Sequence, residues 1–122
     1  MAKIVENVVM EVLKKVRDPE LGSSVVDAGL VSHVSIDEGK QEIEVFWVPT
    51  VPFCPMVLAI SAAMLYALRK NLNLGGWRVR VLVDESVVTA DYWNNQLRDE
   101  ETMNKIVAKL EETGQIKYFI SE

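Results

Sequence analysis

A chain of 122 residues, 49 % hydrophobic and 25 % charged, fits one globular domain able to bury a core without disulfide or metal staples. Its single cysteine excludes an internal disulfide framework. The net charge of −5, with basic residues scattered among acidic ones, argues against binding along a nucleic-acid backbone.

The start, Met1-Ala2-Lys3-Ile4-Val5-Glu6, lacks the apolar stretch of a signal peptide. The apolar run from Met56 to Leu68 is too short to span a bilayer, and Arg69 and Lys70 close it. A cytoplasmic protein with no membrane partner is expected.

Residues 3–17 read as a helix, because Ile4, Val5, Val8, Val9, Val12, Leu13 and Val16 recur at helical spacing. Asp18-Pro19 is expected to end it, since the residue before proline avoids the helical region. A turn-rich loop, Asp18 to Ser24, then leads through Val25-Val26-Asp27-Ala28-Gly29-Leu30 into a strand from about Val31 to Ile36. A second strand, about Glu42 to Val48, carries Ile43, Val45 and Trp47 on one face. Asp37-Glu38-Gly39-Lys40 between the two reads as a hairpin.

Prolines at 49, 52 and 55 stop that strand and shape a loop. A helix from Pro55 to about Asn73 follows, with Gly75-Gly76 beyond its end. Proline favours the first helical position, where its missing N–H costs nothing, so Cys54 is placed at the N-cap. Helix N-termini favour the thiolate, the reactive and metal-binding form of cysteine. A third strand runs from Trp77 to Val83, reached through the helix as a parallel crossover requires.

In the last third, Asp99 is the expected N-cap of a helix from Glu100 to about Thr113, ended by Gly114. Ile116 to Ile120 is a candidate final strand. The fold class is α/β of the α+β kind: a two-layer αββαβ core with a short mixed sheet, a C-terminal helix and a short last strand.

Three segments coincide in order and separation: Asp18-Pro19-Glu20-Leu21-Gly22, Val26-Asp27-Ala28-Gly29-Leu30-Val31 and Pro52-Phe53-Cys54-Pro55. Together they resemble the small iron–sulfur cluster assembly domain family, which includes the Suf-associated maturation factor and the phenylacetate-degradation subunit PaaD. The resemblance covers roughly residues 4–84 and divides the chain into a core, 1–84, and an extension, 85–122, packed on the same domain. It implies an αββαβ core and a role in maturing iron–sulfur proteins, with assembly machinery and client proteins as partners. It also implies that Cys54 is the working residue, supported by Asp18, Glu20 and Asp27. The chain departs from the family pattern in two places. Val51 stands where members carry threonine or serine, with Thr50 one position earlier. The tail after the third strand lacks the usual prolines and keeps Trp93 as the candidate counterpart of a family tryptophan.

A cluster is ordinarily held by about four cysteine thiolates. Cys54 alone cannot hold one, so iron or a cluster is expected only transiently, with further ligands from a partner, a second copy, carboxylates or a small thiol. No stably bound cofactor is expected. Phe53 beside the thiol is the candidate anchor for a docking partner. His33 on an alternating strand, with Val31 and Ser35 on the same face, reads as structural or exposed. No hydrolase constellation or phosphate loop is present: Ser61 falls inside a helix, and Gly75-Gly76 precedes a strand. The chain thus reads as a non-enzymatic maturation factor. The alternatives are a PaaD-type subunit supporting a multicomponent oxygenase, and an interaction module whose cysteine is incidental.

Overall fold

A computed structural model describes residues 6–72 and 75–120. The first helix, α1, spans Glu6–Leu13, and the expected residues 3–5 lie outside the described part. It ends four residues earlier than the apolar spacing suggests. Lys15 and Val16 form a tight last turn, and the backbone then extends so that β1 (Arg17–Asp18) pairs antiparallel with β2 (Ser23–Ser24). The Val25 N–H donates to the Val16 carbonyl at 2.9 Å, and Val16 bridges to Ile120. Tertiary pairing thus overrides helical continuation in a valine-rich stretch of low helix propensity.

The main sheet follows. Strand β3 (Val31–Asp37) pairs antiparallel with β4 (Glu42–Trp47), and β5 (Arg78–Val83) lies parallel to β4, giving the order β3-β4-β5. Helix α2 (Met56–Asn71) makes the crossover. Its end at Asn71 comes before the expected Asn73, which lies outside the described residues. Ile43, Val45 and Trp47 alternate into the core as their spacing predicts, facing Val34, Val79, Val81 and Val83 from the neighbouring strands. Helices α1 and α2 pack on that face and on each other. The buried Trp47 indole donates to the Ser61 hydroxyl of α2 at 3.0 Å, which satisfies both polar groups in the core.

The outer face carries cross-strand pairs set by register: Arg78 with Glu42 at 3.7 Å and Arg80 with Glu44 at 3.4 Å. A bulge between Val31 and His33 breaks the expected shared face of these two residues. Val31 lies opposite Trp47, while His33 lies opposite Phe46, exposed and tilted against that ring.

The extension folds onto this core. Helix α3 (Ala90–Leu97), which periodicity does not announce, packs against β5. Helix α4 (Glu100–Thr113) lies beside α2, with Asp99 accepting from the Thr102 N–H as N-cap and Gly114 at φ 77° ending it. The expected strand at 116–120 is absent. Gln115–Tyr118 form a 3-10 turn, and Ile120 contributes only the bridge to Val16. The left-handed glycine feeds the chain straight into that tight turn, leaving too little length for a ladder.

Candidate functional site

Strands β4 and β5 end side by side, with Trp47 opposite Val83. The 48–55 loop and the 84–89 link therefore leave the sheet at the same end, where the β1–β2 turn also arrives. A small pocket opens there, its closed part large enough for about one water molecule. Asp18, Glu20, Thr50 and Cys54 supply its polar wall, and Trp47 and Met56 belong to the apolar one.

The structure brings four of the candidate residues together. Asp18 is buried, and one carboxylate oxygen accepts from the Glu20 N–H at 2.9 Å. The other accepts from the Thr50 hydroxyl at 3.3 Å, so Asp18 ties the acidic turn to the cysteine loop. The thiol of Cys54 is half-buried, and the neighbouring Phe53 is 73 % exposed. Asp27 stands apart. It is exposed and does not line the pocket; the turn at its position is held by Ser24, whose hydroxyl accepts from the Val26 and Asp27 N–H groups. Serine three residues before Asp27 forms the same turn with its shorter side chain.

The expected N-cap shifts by one residue. Pro55, at φ −56° and ψ −18°, is the N-cap, and α2 begins at Met56. Cys54 lies just before it, and its N–H donates back to the Val51 carbonyl at 3.2 Å, which binds it to the loop turn. Its own carbonyl accepts from the Val57 N–H at 3.0 Å, so the helix opens with a tight first turn.

Two residues of the extension reach this loop. The Trp93 indole N–H donates to the Pro52 carbonyl at 2.7 Å, and the Thr89 hydroxyl donates to the same oxygen at 2.9 Å. Sequence spacing marks Trp93 only through the resemblance, and nothing in the sequence marks Thr89. Among the described residues, no three of His, Cys, Asp and Glu gather to hold a metal ion. Cys54, Asp18 and Glu20 line one pocket without forming such a group.

At the same end of the sheet the Ser32 hydroxyl donates to Asp84 at 2.6 Å, and the Ser86 N–H donates to its other oxygen at 2.9 Å. The Ser32 bond first, then those from Ser86, lower the Asp84 pKa from 3.8 to about 2. A carboxylate depressed in the folded state stabilises it above the ordinary value, and that share is lost as pH falls from 3.8 through about 2. An NMR titration is expected to place the Asp84 midpoint near 2, and Ser32→Ala to move it toward 3.8. An unmoved midpoint would remove Ser32 as the cause.

Residues 6–81 match the model of a family described as iron-sulfur cluster assembly protein. An uncharacterized protein of Methanocaldococcus jannaschii is 36 % identical over 94 residues, which is 76 % of this chain and 94 % of that protein. Two solved structures are similar at 32 % identity. One is a domain of unknown function, DUF59, from Bacillus anthracis (TM-score 0.59, covering 65 % of this chain and 73 % of the other). The other is a conserved hypothetical protein from Thermotoga maritima (TM-score 0.56, covering 69 % and 82 %). The matched stretch ends inside β5, so α3 and α4 lie beyond it.

Proposed function

Because the chain belongs to the iron–sulfur cluster assembly protein family, we propose that it is an accessory factor that passes iron or iron–sulfur clusters to client proteins through Cys54. The observation that carries this reading is a half-buried thiol at the mouth of a pocket shared with Asp18 and Glu20. Transfer is then ligand exchange. The Cys54 thiol gives up its proton as an iron–sulfur bond forms to it, the bond to the donor thiolate breaks and that thiolate takes up the proton through solvent, and the reverse exchange delivers the cargo with no change in electron count. The remaining ligands come from a docked partner, a second copy of the chain, the pocket carboxylates or a small thiol. Phe53 would be an anchor for the docked protein.

This is protein-to-protein work in the cytoplasm, not turnover of a small substrate. No described helix is long and apolar enough to cross a membrane. In cells lacking the native protein, Cys54→Ser is expected to fold normally by circular dichroism and to leave client iron–sulfur enzymes as inactive as in the deletion. Full client activity with Cys54→Ser would overturn the reading.

A further inference from the structure

The Cys54 N–H bonded to the Val51 carbonyl closes a four-residue turn, with Pro52 and Phe53 at its centre. Proline suits the second position of both common turn types, which differ in the orientation of the central peptide. That orientation is the direction in which the Pro52 carbonyl points. Among described residues other than glycine, only Gln41 has a positive φ, so Phe53 fits the type I form and not type II, which needs a positive φ at this position. Thr89 and Trp93 both donate to the Pro52 carbonyl, and Trp93 is buried at 5 % exposure. Flipping the central peptide would turn that oxygen away and leave the Trp93 N–H unpaired out of water.

We infer that Thr89 and Trp93 are positioning residues for the cysteine loop, so that the extension beyond the matched family stretch sets the aim of Cys54 and Phe53. Phe53 and Cys54 are mounted on the turn that this carbonyl anchors, so a single captured carbonyl holds the segment that presents anchor and thiol together. The inference deepens the proposed role and rests on Cys54 being the working thiol.

The test is the rate at which iodoacetamide alkylates Cys54 in the folded full-length protein, read across pH and beside the urea midpoint of each variant. Thr89→Val is expected to speed alkylation roughly threefold, and Thr89→Val with Trp93→Phe roughly tenfold, as the loss of one and then two hydrogen bonds from a local opening equilibrium implies. Thr89→Ser, which keeps the donor, is expected to match the wild type. Thr89→Val should lower global stability by no more than the same roughly threefold change in the unfolding equilibrium, since one native bond is lost in both cases; a larger loss would mark general loosening and overturn the inference. Should Trp93→Phe fail to fold, Thr89→Val against Thr89→Ser decides alone. Equal alkylation in those two variants overturns the inference. That result leaves the client-maturation test of Cys54→Ser standing, and failure of that test leaves the alkylation result standing.

Discussion

Asn94→Leu is expected to cost about 2–5 kcal/mol of folding stability, a large share of the roughly 5–15 kcal/mol that holds a domain of this kind together. Strand β5 is an outer strand, and its far edge carries backbone groups that β4 cannot reach. Asn94 answers them at Val83: its amide oxygen accepts from the Val83 N–H at 2.8 Å, and its amide nitrogen donates to the Val83 carbonyl at 3.0 Å. Both residues are buried, Asn94 at 2 % and Val83 at 0 % exposure, so no water replaces the lost partners. Leucine fills the space and strands both backbone groups. Asn94→Asp keeps the acceptor but aims a second oxygen at the Val83 carbonyl, and is expected to be at least as damaging. Urea unfolding should show a lower midpoint with an unchanged slope. A change within about 0.5 kcal/mol, the usual range for an inconsequential surface substitution, would show that the amide does not close this edge.

The same residue explains what the sequence concealed. Helix α3 buries Ala90, Trp93, Asn94 and Leu97, a regular helical stripe at positions i, i+3, i+4 and i+7. One of the four is polar and another is small, so apolar periodicity does not reveal the helix. Strands β3, β4 and β5 and helices α2 and α4 were legible because their inward positions are apolar, apart from Ser61 of α2. Ile116 to Ile120 reads as a candidate strand, but Gly114 turns the chain into a 3-10 turn. Helix α1 overran its end on paper because Val16 keeps the helical stripe, whereas its backbone is taken by Val25.

For the site, local motifs and the family resemblance were enough to bring Asp18, Glu20, Thr50 and Cys54 under consideration together. The hydrogen bond from Thr50 to Asp18 spans 32 residues and the one from Trp93 to Pro52 spans 41, and no local pattern encodes contacts at that range.

Asp18→Ala is expected to cost about 1–3 kcal/mol and to loosen the pocket wall, because it strands the Glu20 N–H and releases the 48–55 loop from the acidic turn. Asp18→Asn is the informative counterpart. Its amide oxygen can still accept from the Glu20 N–H, while its NH2 group faces Thr50, whose hydroxyl can accept as readily as it donates. Asparagine should therefore preserve the fold, with a loss under about 1 kcal/mol in urea unfolding. It removes only the negative charge, and with it a hard oxygen ligand suited to iron.

The pair of variants separates two roles that coincide in the wild type. If Asp18 serves solely to join two loops, Asp18→Asn supports client maturation at the wild-type level and only Asp18→Ala fails. If the carboxylate also meets the cargo beside Cys54, Asp18→Asn folds as the wild type does and still loses maturation. The proposed transfer role predicts the second outcome, since a single thiol needs further donors and Asp18 is the buried carboxylate lining its pocket. Normal maturation with Asp18→Asn would confine Asp18 to the architecture of the site and leave the extra ligands to the docked partner.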